Sequence, residues 1–512
     1  MLGIRGYKRI IAFFTAWACI IALMPLLSDR AKAAETGYIR VGLTSNYVKK
    51  QSVTIANTNL KIGVCIGNVF YASGDIRTES GITITPETGA YVAYKKSFSS
   101  YAKAAAEAAV LAAAGETTAF ACLTGKDSWK VYEASKKGVA NGYMLRVSTG
   151  KGAFLIDGAA IGSFPQFADA AGGFITVGSF KYRGRIEVGR YSGASKVSAV
   201  NVLPLEDYIK GVVTCEMPRS WPLEALKAQA VCARSYGLMV GGEGSSGGLE
   251  KGYSIGDSET FQVYKGVSGE SESGTRAVDE TRGELATYEN RVIRTYYFST
   301  SGGSTETAED VWGNGKPYLR SVSDIYETEP EKQPWIVTLT AGEIASNLSK
   351  NGMDVGTVQD VKPEIITMSG HIYSLKVTGS KGTVNVEKGK IRTVFGLPST
   401  KFKVVKYGDI PDKVTAKGDT EEKTVRIGSS YILSGSGKAE KAGSLDQYMV
   451  MSSDNITGFA GKAPKEGGVF EFAGAGYGHS VGMSQSGAKG MAKAGFTYRD
   501  IISHYFSGVV VR

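Results

Sequence analysis

Residues 203–238 read LPLEDYIKGVVTCEMPRSWPLEALKAQAVCARSYGL. Within them Val212 and Val213 lead into Cys215, a single carboxylate at Glu216, then Met217 and Pro218. Paired valines favour an apolar strand, and Pro222 ahead of LEALKAQA is a proline-led helix start. The stretch therefore predicts a strand ending near Glu216 and a helix over 221–240. A glutamate at such a junction is either a solvated turn residue or a carboxyl held half-buried for acid–base chemistry. On the predicted helix Lys227 and Arg234 share nearly one face, while Leu226, Ala230 and Ala233 favour another. That basic pair is either an ordinary exposed stripe or a means of orienting Glu216 and binding hydroxyl or carboxylate groups of a ligand.

Outward from this stretch, the chain has 512 residues, 42% of them apolar and 21% charged, enough for two or three domains. With 66 glycines, 13 prolines and short runs of Thr, Val and Tyr, the composition favours a β-rich protein with many tight turns. Residues 1–33 read as a signal peptide or N-terminal membrane anchor. Arg5, Lys8 and Arg9 precede the apolar run Ile10–Leu27, and Ala31-Lys32-Ala33 offers a cleavage site. An extracytoplasmic location follows, with the membrane touched only through that segment. The formal charge is +10, of which residues 1–33 supply +4, leaving +6. This mild balance suits anionic envelope polymers, and no Lys/Arg tract with interleaved aromatics supports nucleic acid. Beyond residue 33 stand Cys65, Cys122, Cys215 and Cys232, which are either two disulfides or buried thiols.

Residues 38–98 alternate short β-like runs with turns, and SSYAKAAAEAAVLAAA (99–114) is a helix capped by Ser99 or Ser100 and ended by Gly115. Residues 172–203 alternate again as a meander, and 241–275, rich in Gly and Ser, read as loop. Two further segments carry chemistry. In YYFSTSGGSTETAEDVWG (296–313) a strand runs into Ser301-Gly302-Gly303, followed by hydroxyls and Glu306, Glu309 and Asp310, a pattern suited to sugar or peptide contact. In GAGYGHSVGMSQSGAKGMAKAG (474–495) the glycines at 474, 476, 478 and 482 let another chain approach the backbone, and His479, Ser484 and Gln485 supply polar groups. His479 is one of three histidines and is either a turn residue or a ligand contact. Neither GxGxxG nor GK[ST] is present there, so phosphate cradling is unsupported.

These segments, with FQVYKG (261–266) between them and KYRGRIEVGR as a lead-in strand pair, occur in an order that resembles the SpoIID/LytB family of bacterial cell-wall proteins. The match covers roughly residues 175–512. A fainter resemblance links FSSYAKAAAEAAVLAAAGETTAFACLTG to SPOR-type glycan-binding modules. The resemblance implies an α+β architecture: a β-rich catalytic domain over 149–512 with a few helices lining a substrate groove, and a small α/β SPOR-like region within 34–148. It implies Glu216 as the catalytic residue of an EMP motif. Lys227, Gln229, Arg234, Gln262, Ser301, His479, Ser484 and Gln485 become substrate-binding, with His479 and its loop facing Glu216 across the groove.

Three functions fit. The first is a lytic transglycosylase that cuts peptidoglycan glycan strands, stripped of stem peptides, to anhydromuramoyl products during sporulation. One carboxyl suffices for it, whereas ordinary glycoside hydrolysis needs two. Val213, Cys215, Met217 and Trp221 would desolvate that carboxyl, and Lys227 would favour its charged form. The second is a non-catalytic enhancer of a cell-wall amidase, which would then be a partner together with other sporulation envelope proteins. The third is a structural envelope module. Some relatives in this family bind zinc near this motif, but here Phe261 replaces the cysteine and the histidines are scattered, so no metal or other cofactor is expected.

Overall fold

The computed structural model describes residues 37–66, 69–114, 118–241, 248–328, 334–406, 413–417, 422–426, 431–433, 439–441, 449–452, 455–458 and 468–512. The targeting segment predicted over 1–33, and Gly115 as a helix stop, lie outside them. The chain divides into two compact units, Met1–Thr295 with Val511–Arg512, and Tyr296–Val510. Both mix strands and helices in an α+β arrangement.

Two sheets dominate the first unit. In the seven-stranded sheet, Tyr38–Gly42 runs antiparallel to Ser198–Pro204, with Tyr38 opposite Pro204, and parallel to Ile255–Gly256. Gln166–Asp169 joins Asn59–Ile66 to Arg185–Gly189 in the same sheet. The helix predicted after residue 99 is α1, Tyr101–Ala113, capped by Ser100, whose hydroxyl accepts from the Lys103 amide. It packs on the ten-stranded sheet that runs from Val139–Ala140 at one edge to Phe180–Tyr182 at the other. Residues on both sides of position 148 thus share both sheets, and the boundary expected there falls inside continuous hydrogen-bonded structure. The stretch 34–148 does not stand apart as a small α/β module. The lead-in strands also differ from expectation: Phe180–Tyr182 and Arg185–Gly189 belong to different sheets. The switch is made at Gly184, whose φ of 74° is left-handed and whose missing Cβ would lie 2.5 Å from the Val202 carbonyl.

The largest departure from the sequence reading concerns Val212–Cys215. They form no strand but the last turn of helix α2, Leu205–Glu216. Leu205, Tyr208, Ile209, Val212 and Val213 fall at helical spacing and all are buried, so burial of one apolar stripe overrides the strand preference of paired valines. Glu206 and Asp207 in the first turn complement the helix dipole. The helix ends because Met217 precedes Pro218, which disfavours helical backbone; Met217 is extended, with φ −123° and ψ 138°. Helix α3, Leu223–Gly241, follows as predicted. The loop expected over 241–275 closes in helix α4, Glu272–Glu280, capped by Ser271. Cys65, Cys122, Cys215 and Cys232 are all free thiols.

In the second unit, Trp335–Thr340 and Phe402–Lys406 flank Val469–Gly474 in an antiparallel sheet, and Val358–Ile366, Ile372–Gly379 and Gly382–Glu387 form another. Their core includes Ile344, Leu375, Ile391, Phe395, Phe470 and Phe472. Helix α5, Lys390–Phe395, contributes Ile391, Val394 and Phe395 to it and ends at Gly396 in left-handed conformation.

Candidate functional site

Glu216 is the last residue of α2 and is half-buried, between buried Val213 and Met217. Its Oε1 accepts a 2.7 Å hydrogen bond from the Val263 amide, in the FQVY stretch. That stretch is pinned by its neighbour: Gln262 is fully buried, its Oε1 accepts from the Tyr208 hydroxyl at 3.0 Å, and its Nε2 donates to the Ala233 carbonyl at 3.4 Å. Gln262 therefore ties the loop to α2 and α3 at once and aims the Val263 amide at the carboxylate. Tyr208, which the sequence reading passed over, belongs to this arrangement. Burial foremost, and then the charge of Glu216, push its phenol well above the usual range.

Arg234 has no accessible surface. It donates to both oxygens of Glu206, from Nε at 2.8 Å and Nη2 at 2.9 Å, and to the carbonyls of Val278 and Glu284. A guanidinium so enclosed offers no face to a ligand, and the ligand-binding role expected for it is corrected to one of positioning: it locks the start of α2 against α3 and α4. Gln229 and Gln262 are likewise fully buried and act in the scaffold rather than at a ligand surface. Lys227 bridges Glu224 at 2.8 Å and Glu280 of α4 at 2.7 Å. Burial opposes its charge, but the hydrogen bonds to those carboxylates outweigh it and raise its pKa.

The C-terminal motif is organised separately. Ser301 and Ser484 are fully buried and converge on Glu327, which the sequence reading did not single out. Glu327 accepts from the Ser301 amide and hydroxyl at 2.7 and 3.0 Å, from the Gly302 amide at 3.1 Å, and from the Ser484 hydroxyl at 2.8 Å. Burial pushes its carboxyl up, and these hydrogen bonds work against that shift. Ser484 also caps the helix Gln485–Lys493, where buried Gln485 is the first residue. Both serines therefore hold loops together, and their expected place on a ligand surface is corrected accordingly; Gln485 is buried at the start of that helix.

The glycines of this motif were expected to admit another chain, and they do, but it is the protein's own strand. A Cβ at Gly476 would lie 2.9 Å from the Ser301 carbonyl, at Gly478 2.6 Å from Phe298 Cβ, and at Gly482 2.3 Å from the Tyr296 carbonyl. His479 is held among Tyr296, Phe298 and Trp312, with ring centroids 6.0, 5.6 and 5.2 Å away. Its Nδ1 accepts from the Val481 amide at 3.1 Å, which assigns the ring proton to Nε2. Burial, aided by Arg392 and opposed by the Tyr297 backbone, lowers its pKa to about 4. His479 is a neutral imidazole at physiological pH.

The described residues contain no group of three or more His, Cys, Asp or Glu arranged to hold a metal ion. Phe261 stands beside Gly256 where a zinc-binding relative would need a thiolate, and both nitrogens of His371 are engaged, by Thr400 and the Ser304 carbonyl. The described residues do not fit zinc.

The family model described as Stage II sporulation protein matches residues 193–288, which span Glu216, α3, the FQVY stretch and α4. A domain of unknown function matches residues 324–420. The chain is 31% identical over 328 residues to Stage II sporulation protein D of Bacillus subtilis, which covers 61% of this chain and 76% of that protein. It is 30% identical over 323 residues to Stage II sporulation protein D of Bacillus amyloliquefaciens, covering 61% and 75%. It is also 30% identical over 312 residues to the Bacillus subtilis amidase enhancer, covering 59% of this chain but only 40% of that longer protein. Carrying the family's model over the segment that holds Glu216, and spanning three quarters of two sporulation relatives, this chain belongs to the Stage II sporulation protein family.

Proposed function

We propose that the chain is a peptidoglycan lytic transglycosylase, working outside the cytoplasm in cell-wall remodelling during sporulation on glycan strands freed of stem peptides. The observation that carries this is the placement of Glu216: a half-buried carboxyl at a helix end, one oxygen fixed by the Val263 amide and the whole segment braced by Arg234 and Gln262. Such a group can act twice. Its proton goes to the glycosidic oxygen as the bond to C1 breaks. The resulting carboxylate then takes the proton of the sugar's own C6 hydroxyl, whose oxygen closes onto C1 as a 1,6-anhydro ring. No second carboxyl and no attacking water are needed, in contrast to ordinary glycoside hydrolysis. His479 is neutral, with Nδ1 accepting from the Val481 amide and its remaining ring proton directed at the Tyr297 backbone, so no step is assigned to it.

A second reading is favoured by the amidase enhancer among the relatives: the chain would hold glycan while an amidase partner cuts. Purified protein incubated with peptide-free glycan, with products read by mass spectrometry, separates the two. Anhydromuramoyl ends support the transglycosylase and reducing ends overturn it. Untouched strands, with an amidase accelerated when the protein is added, support the enhancer.

A further inference from the structure

Helix α5 and the short helix Ala308–Trp312 line a cavity of about 570 Å³ that includes His479 and is large enough for a small ligand. One wall is Trp312, which keeps 43% of its surface exposed although its ring is fixed 4.6 Å from Tyr296 and 5.2 Å from His479. A rigid, solvent-facing indole is a ready platform for the apolar face of a sugar ring. The lining also carries three cations, Lys388, Lys390 and Arg392, and one carboxylate, Glu387.

Arg392 is half-buried, donates through Nε to the Leu397 carbonyl at 3.3 Å, and joins no ion pair among the described residues. Burial lowers its pKa, the mark of a desolvated charge that lacks an anion. Lys388 is held in left-handed backbone, with φ 56°, and its Nζ lies 2.9 Å from where a Cβ on Gly313 would be, beside Trp312. Neither Lys388 nor Lys390 is in an ion pair among the described residues.

We propose that this cavity is a binding site for a sugar acid, with the pyranose on Trp312 and its carboxylate received by Arg392, Lys388 and Lys390. Resting on the glycan reading above, the ligand is an N-acetylhexosamine bearing a free lactyl carboxylate, the muramoyl residue left when a stem peptide is removed. A carboxylate captured by amide formation would lose the ionic contacts, so the site discriminates between peptide-free and peptide-bearing sugar.

The test titrates the full chain with N-acetylmuramic acid, its lactyl methylamide, N-acetylglucosamine and glycerol phosphate, following tryptophan fluorescence and calorimetry. The acid should bind roughly tenfold more tightly than the amide or N-acetylglucosamine. A Lys388→Gln/Lys390→Gln variant, which changes the half-buried Lys388 over the Tyr373 ring and the exposed Lys390, should lose most of that preference, and Trp312→Ala should weaken acid and amide alike. Equal affinity for acid and amide, a preference untouched by the double substitution, or glycerol phosphate binding as tightly as the acid would each overturn the site. Monosaccharides have no glycosidic bond to cut. Failure here therefore leaves the Glu216 chemistry standing, and an inactive chain that still prefers the acid fails only as a transglycosylase.

Discussion

The Val263 amide donates a 2.7 Å hydrogen bond to Glu216 Oε1, joining the FQVY loop to the end of the helix Leu205–Glu216. Val263 is placed by Gln262, so the carboxylate's orientation depends on a residue that never meets a ligand. Gln262→Leu should lower glycan cleavage by roughly 10–100-fold through misplacement of Glu216. It should cost about 1–3 kcal/mol, because the buried Tyr208 hydroxyl loses its 3.0 Å acceptor. Kinetics and urea unfolding of the same preparation check both effects; a folded variant cutting at the unmodified rate contradicts the arrangement.

Arg234 tests the brace at the other end of that helix. Its removal leaves Glu206 buried without its counter-charge. Arg234→Ala should therefore destabilise by about 3–5 kcal/mol in denaturant unfolding, far more than loss of a surface pair. A change below about 1 kcal/mol would mean that the buried pair is dispensable.

A chain lacking residues 34–148 should fail to fold. Tyr38–Gly42 lies between Ser198–Pro204 and Ile255–Gly256, and its loss exposes both partners in the sheet from which the Glu216 helix springs. Circular dichroism and a cooperative unfolding transition measure this. A truncated protein that melts cooperatively would show an independent N-terminal module after all.

How far this was legible in the sequence depends on the residue. The helix over 223–241 could be read from Pro222 and its alanine-rich pattern, and Glu216 stood out as a lone carboxylate. The preceding helix was misread because Val212-Val213 drew attention to local β preference. Tested at 3.6 residues per turn, Leu205, Tyr208, Ile209, Val212 and Val213 make an apolar stripe. Arg234, Gln262, Ser301 and Ser484 stand out in the sequence as polar positions expected to meet a ligand, whereas the structure buries all four against the protein's own groups. Their partners Glu206, Tyr208 and Glu327 come together only in the fold, and no spacing rule reveals burial of a polar side chain whose acceptor is 157 residues away, as for Ser484 and Glu327. The glycines of the C-terminal motif were rightly read as sites of close approach, but nothing in their pattern says that the approaching chain is residues 296–301.

Stability should depend on pH through two histidines. Burial lowers His371 and His479 to about 4, while in the unfolded chain each titrates near its ordinary value of roughly 6.5. Between those values the unfolded chain binds more protons, so these groups leave stability intact above about pH 6.5 and erode it on acidification toward pH 4. The loss is at most ~1.4 kcal/mol per pH unit for each histidine. His371→Asn should therefore narrow the stability gap to the parent protein as pH falls from 7 to 4.5, measured by urea midpoints. A gap constant with pH would refute neutral burial of His371.

The most direct measurement compares the parent chain with Glu216→Gln on peptide-free glycan, scoring anhydromuramoyl ends by mass spectrometry and confirming equal melting temperatures. The amide keeps the shape of the side chain but cannot donate a carboxylic proton or recover one from the C6 hydroxyl. The parent should release anhydromuramoyl products and the variant none. A well-folded Glu216→Gln chain that still forms them would contradict the assignment of both proton transfers to Glu216.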